Sequence, residues 1–221
     1  MKIKLIHMLI LIFVFMSNCI STSSYQTARV LGTNEDGSNA GRMELNVGAI
    51  NFGTESDFIA EAGFGYHFAA IPNKLELGIK VFSVGPGTLG ISGDGKIAFL
   101  QTENTAIALG ITGAYNSFSL EYGLGASTLE TAMLFTFKLS PSVDITIAPR
   151  VTFVSYESDG SYVYEGSLAA FYMPGVILNL AIGKNNQVIP EIGVLFPMAY
   201  DSDVVGEPYY HFGLAFKFGR N

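Results

Sequence analysis

The sequence predicts an all-β fold, a closed antiparallel transmembrane β-barrel of about ten strands (eight to twelve admissible), and three observations carry that prediction. From residue 42 onward, apolar and polar residues alternate with a period of two, the signature of strands whose two faces meet different surroundings. The 221-residue chain is 49% hydrophobic and only 14% charged, with 25 glycines and a mean hydropathy of +0.36, too apolar for a typical water-soluble domain. Beyond its N-terminus it nevertheless contains no run of about 18 apolar residues, the length a spanning helix needs. Lipid offers backbone N–H and C=O groups no partners, so a chain that crosses it without helices must close its strands on one another.

Each strand is justified by its own alternation. Residues 42–52 set Leu45, Val47 and Ala49 on one face. Residues 57–68 set Phe58, Ala60, Ala62, Phe64, Tyr66 and Phe68 against Glu61, Gly63, Gly65 and His67. Residues 74–83 oppose Leu75, Leu77, Ile79 and Val81 to Glu76, Gly78 and Lys80. Residues 92–101 oppose Ile97 and Phe99 to Lys96 and Ala98, and residues 104–115 turn Ile107, Leu109, Ile111 and Tyr115 outward. Residues 130–140 oppose Met133, Phe135, Phe137 and Leu139 to Thr136 and Lys138. Residues 143–156 oppose Val143, Ile145, Ile147, Val151 and Phe153 to Asp144, Thr146, Arg150 and Thr152. Residues 173–183 and 187–198 carry Asn179 and Glu191 on their polar faces. The last strand, 209–218, places Tyr210, Phe212, Leu214, Phe216 and Phe218 on one face and His211, Gly213, Ala215 and Lys217 on the other.

The connections give an independent test, because membrane barrels have short turns at one end and longer loops at the other. Turns near 71–73, 102–103, 140–142 and 184–186 are all short. Those near 53–56, 84–91, 116–129, 157–172 and 199–208 are mostly long and hold most of the Gly, Ser, Asp and Glu.

Three segments follow: residues 1–18 as a signal peptide, 19–41 as a flexible, lipid-anchored tether, and 42–221 as the barrel. Lys2 and Lys4 with an apolar stretch of about 12 residues have the layout of a secretory signal and are too short to span. Residues 20–41 are rich in Ser, Thr, Asn and Gly and lack an apolar period. A single cysteine allows no intramolecular disulfide, so strand pairing and burial alone must hold the fold. With 19 acidic and 12 basic residues the chain is acidic, and loss of Lys2 and Lys4 with the signal makes it more so. That balance excludes nucleic acid as a partner, since phosphate binding needs clustered Lys and Arg.

Two motifs carry a resemblance to a known family. His211, Gly213, Phe216 and Phe218 resemble the C-terminal assembly signal of bacterial outer-membrane β-barrels, a polar residue, a glycine and two alternating aromatics. Met16-Ser-Asn-Cys19 resembles a bacterial lipoprotein box. Together they imply a lipidated outer-membrane barrel whose partners are the membrane lipid, the barrel-assembly machinery, signal peptidase II and the lipoprotein acylation enzymes. Asn18 stands where that box usually has Gly or Ala, and the alternative is an ordinary signal cleaved among residues 21–24 with Cys19 a free thiol. Residues 25–29 resemble a short polar motif that follows the anchor cysteine in some lipidated barrels; taken by themselves they are tether.

The charges on the polar faces, Glu61, Glu76, Lys80, Lys96, Lys138, Asp144, Arg150, Glu191 and Lys217, should point into the lumen. A barrel of this size has an interior little wider than side chains fill, so opposite charges there should pair and plug it, the alternative being a narrow path lined by both signs. Residues 90–96, Gly-Ile-Ser-Gly-Asp-Gly-Lys, match the start of a phosphate-binding loop, but Ile97 replaces the magnesium-holding hydroxyl and no helix follows, so a turn entering a strand is expected. His67 has no evident partner. His211 beside Asp201, Asp203 and Glu207 could suggest a rim-type outer-membrane hydrolase, but its role in the assembly signal is the better reading. No metal-ligand spacing, cofactor motif or nucleophile elbow is present. The sequence thus points to a non-enzymatic barrel with a structural or surface-interaction role through its outer loops. A narrow channel or transporter for small solutes or lipids is the alternative, and an enzyme the third reading.

Overall fold

The computed structural model describes residues 27–52, 58–84, 88–119, 124–157, 170–199 and 207–219. The strands are β1 (Gly41–Phe52), β2 (Phe58–Ile71), β3 (Leu75–Val84), β4 (Leu89–Gln101), β5 (Thr105–Ser119), β6 (Leu124–Ser140), β7 (Val143–Glu157), β8 (Ala170–Ile182), β9 (Asn186–Leu195), the two-residue β10 (Met198–Ala199) and β11 (Tyr209–Phe218). Successive long strands pair antiparallel, β9 lies between β8 and β11, and β1 pairs β11 from Met43↔Phe218 to Phe52↔Tyr209. The ten long strands therefore form a closed ring, which leaves no strand edge unpaired.

The alternation becomes an inside and an outside. Val47, Phe64, Ile79, Ile91, Leu139 and Tyr210 are roughly half exposed on the outer face, forming an apolar belt suited to lipid. Residues of the opposite parity point inward and are buried: Asn46, His67, Lys80, Ser92 and His211. Between Ala98 and Leu100 the β4–β5 register slips by one residue, so Phe99 and Leu100 are both exposed, at 63% and 43%, and the alternation breaks at that bulge.

Several boundaries depart from the sequence reading. β5 and β6 stay paired as far as Ser119↔Leu124, so residues 116–119 and 124–129, expected within a long loop, are strand. The cause is that Ser, Asn and Gly pair through their backbones without the aliphatic alternation that betrays a strand. β4 begins at Leu89, so residues 90–96 are strand interior and not a turn, with Lys96 directly across from Glu76. β9 stops at Leu195 because Pro197 has no N–H for the ladder; the N–H of Phe196 donates to the Pro174 carbonyl at 2.9 Å, and Met198 and Ala199 pair with β8 instead.

The larger correction concerns residues 27–40, expected to be part of a flexible tether. They fold into the short-turn end of the barrel, with Thr27, Ala28, Val30, Leu31 and Ala40 buried. Ala28 packs among Ala106, Ala108, Ala132, Leu134 and Ala148 of the lumen wall. The chain then crosses to the β2–β3 turn, bends through a turn closed by Asn34 and Ser38, and enters β1. Cys19 and the signal region lie outside the described residues.

Candidate functional site

The lumen holds the chemistry of this protein, in two tiers of charge and an N-terminal plug. Strand register builds the tier nearer the short turns. It sets Glu44 of β1 opposite Lys217 of β11, Arg42 opposite His67 of β2, and Glu76 of β3 opposite Lys96 of β4. Glu76 is the hub. It accepts from Arg42 Nη2 at 2.8 Å and from the Leu31 N–H at 3.0 Å, and Lys96 Nζ lies 3.2 Å away. Lys217 Nζ is 3.1 Å from Glu44. The His67 ring stands 3.4 Å from Glu44 on one side and 3.4 Å from Asp94 on the other, with Glu76 at 3.6 Å. Gly78 makes room for this contact, since a Cβ there would collide with the Asp94 carboxylate and with Nδ1 of His67.

The second tier lies farther along the barrel. Lys80 reaches Glu61 at 3.1 Å, with Asn46 donating to the same carboxylate at 3.2 Å. Arg150 and Thr152 both donate to one oxygen of Glu130, at 3.0 and 3.2 Å. His211 Nε2 is 2.8 Å from Glu191. Beyond this tier a buried apolar layer of Val154, Phe171, Met173 and Leu195, with Tyr209 packed against it, occupies the lumen toward the long-loop end.

The plug is held largely through its backbone. Lys96 donates to the carbonyls of Thr27 and Arg29, at 2.9 and 2.8 Å. Gln101 both accepts from the N–H of Val30 (2.8 Å) and donates to its carbonyl (3.2 Å), imitating a strand partner. The Ala28 N–H donates to the Thr136 hydroxyl at 2.8 Å, and the Asn73 N–H to the Leu31 carbonyl at 2.8 Å. Arg29 forks onto Asp144 at 2.6 and 3.2 Å and donates to the carbonyls of Thr102 and Glu103, at 3.0 Å each.

Of the nine charges expected in the lumen, seven sit buried inside it: Glu61, Glu76, Lys80, Lys96, Arg150, Glu191 and Lys217. Asp144 meets Arg29 at the short-turn end, and Lys138 meets the exposed Glu103 there at 3.0 Å. The sequence reading missed Arg42, Glu44, Asp94, Glu130 and Arg29. Arg42 and Glu44 share the polar parity of the first strand and were recoverable, and Asp94 was obscured by its glycine-rich context. Arg29 belongs to a segment with no periodicity. His67, expected to lack a partner, has three carboxylates within ion-pair distance, brought there by strands distant in sequence. His211 points into the lumen rather than onto the rim, is 2% exposed, and meets Glu191. Glu207 is exposed, and Asp201 and Asp203 lie outside the described residues. Gly213, Phe216 and Phe218 sit on β11, with both aromatics on the outer face. Among the described residues no group of three His, Cys, Asp or Glu side chains is placed to hold a metal ion.

No protein-family model matches the chain, and no curated protein matches it by sequence. Solved structures do. It is similar to the outer membrane enzyme PagL (15% identity, TM-score 0.38, covering 80% of this chain and 98% of that one). It is also similar to the outer membrane protease OmpT from Escherichia coli (8% identity, TM-score 0.40, covering 82% and 95%) and to Neisserial surface protein A (9% identity, TM-score 0.38, covering 81% and 96%).

Proposed function

We propose that this chain is an outer-membrane lipoprotein with a closed lumen, acting as a structural or surface-interaction element through the loops at its long-loop end. In this reading residues 1–18 export it, Cys19 carries the lipid, and the barrel-assembly machinery inserts it by reading His211, Gly213, Phe216 and Phe218. The apolar outer belt supports the membrane location. One observation carries the role: the lumen is filled, by Arg29–Asp144, Arg42–Glu76–Lys96, Lys217–Glu44, Lys80–Glu61, Arg150–Glu130 and His211–Glu191, with the plug beneath them. A lumen packed with paired charges leaves the loops as the part that meets other molecules. It also argues against the rim-hydrolase alternative, because His211 is buried in the lumen against Glu191 and does not stand on the rim.

A cysteine placed at Ser161 of a Cys19→Ser variant tests the orientation, because a membrane-impermeant maleimide should label it on intact cells. Labelling only after lysis would sink the surface role. Mass spectrometry of the mature N-terminus should find a diacylglyceryl cysteine; an unmodified Cys19 removes the lipid anchor and leaves the barrel.

A further inference from the structure

Among the described residues three prolines stand inside long strands: Pro149 of β7, Pro174 of β8 and Pro190 of β9. Each removes a backbone donor from the wall. In an antiparallel sheet the N–H and C=O of one residue point to the same neighbouring strand, and the side reverses at the next residue. The Pro174 carbonyl accepts from the Phe196 N–H at 2.9 Å, so even-numbered residues of β8 face β9 and odd-numbered ones face β7. Pro174 therefore lacks its donor on the β9 side. The same register sets Pro190 across from Leu180, again on the β8–β9 seam, and there the pairing lapses: it runs from Gly175↔Leu195 to Asn179↔Glu191 and resumes only at Ile182↔Val188. Ala148 pairs with Ile177, so Ala148 faces β8 and Pro149 faces β6, where the pairing skips from Ala132↔Arg150 to Phe135↔Ile147. All three missing donors thus lie on the two flanks of one hairpin, β7–β8. Its own ladder is unbroken from Val143↔Ile182 to Ser155↔Ala170. The other seams are continuous or carry only bulges near strand ends. Lipid supplies no substitute for a lost donor, so the flanks of this hairpin are held by fewer bonds than the rest of the ring.

We propose that the β7–β8 hairpin is a movable panel of the barrel wall, which parts from β9 between Pro174 and Pro190 and opens the lumen sideways toward the bilayer. The β8–β10 pairing at Tyr172↔Met198 closes one end of this seam and Ile182↔Val188 the other, so the opening is a window in the wall and not a fraying end. Met173 and Leu195 of the apolar layer stand behind its long-loop half, and Asn179 and Glu191 behind the rest. The motion is independent of any role of the loops.

Strand β8 carries its own control, because successive amides face different seams. With the full-length barrel in lipid nanodiscs, hydrogen exchange followed by NMR should find the amides of Val176 and Leu178, which face β9, exchanging at least about tenfold faster than those of Ile177 and Asn179, which face β7. Combining Pro174→Val with Pro190→Val restores both donors and keeps the lipid-facing side chains apolar. The difference should then shrink to less than about threefold, with heat-modifiable gel mobility showing that the barrel has assembled. Equal rates at the four amides of the parent overturn the panel, whether or not the variant assembles. So does a difference that persists undiminished once both donors are restored in the assembled barrel.

Discussion

At the scale of single residues, position in the barrel decides what a charge is worth. Glu76 and Glu103 are both carboxylates facing a lysine at about 3 Å, yet Glu76 is 3% exposed and the Glu103 side chain 82%. Removing Glu76 strands Arg42, Lys96 and the Leu31 N–H in a buried lumen, and breaking a buried pair from one side costs about 3–5 kcal/mol. Glu76→Ala should therefore lower the urea midpoint of the vesicle-inserted barrel, whereas Lys138→Ala should leave it where it is, because water replaces that partner. An equal shift in the two variants would mean that the lumen is wetter than its packing implies. Glu103 reports on its pair through pH instead. The hydrogen bond from Lys138, and then its charge, hold the Glu103 carboxyl below the usual carboxylate range. A lowered folded value means the pair's contribution is complete above the unfolded value of about 4.3 and fades as pH falls through the lower folded one. Lys138→Met should bring the Glu103 carboxyl resonance back to an ordinary titration midpoint in an NMR titration.

At the scale of elements, the strands were legible and the plug was not, for reasons that lie in what each asks of its own residues. A strand between lipid and lumen needs opposite chemistry at every second position, so Leu75 to Val81 or Tyr210 to Phe218 displays its burial in its composition. Paired backbone beyond the belt needs nothing of its side chains, which is why residues 116–119 and 124–129 passed for loop. The plug is held through its backbone by Lys96, Gln101, Glu76 and Thr136, so its specificity is written in the wall rather than in residues 27–31. Ala28 is the exception, since its methyl is what fits among Ala106, Ala108, Ala132 and Ala148. Ala28→Leu adds volume where the wall is already in contact, and overpacking of this kind costs about 1–3 kcal/mol. The plug should give way before the barrel does. The amides of Val30 and Leu31 should then exchange with solvent faster, while those of β5 and β6 keep their protection. Unchanged exchange at Val30 and Leu31 would show that the alanine pocket does not hold the plug.

For the whole molecule, the question is whether a ten-stranded ring that could enclose a path does so, and the layering along the axis supplies the answer. The plug and the Glu76 tier occupy the short-turn end. The Glu61–Lys80, Glu130–Arg150 and Glu191–His211 pairs follow, and Phe171, Met173 and Leu195 lie beyond them. These barriers act in series, so a conducting path requires every one of them to open. Reconstituted in planar bilayers, the parent chain should be silent, and so should a variant lacking residues 27–38, because the second tier and the apolar layer remain closed. Steady conductance should appear only when that deletion is combined with Glu76→Ala, Glu130→Ala, Arg150→Ala, Phe171→Ala and Leu195→Ala, which shorten side chains in each of the three remaining barriers. Conductance on plug deletion alone would instead make residues 27–40 a gate, and the narrow-channel reading would displace the closed barrel.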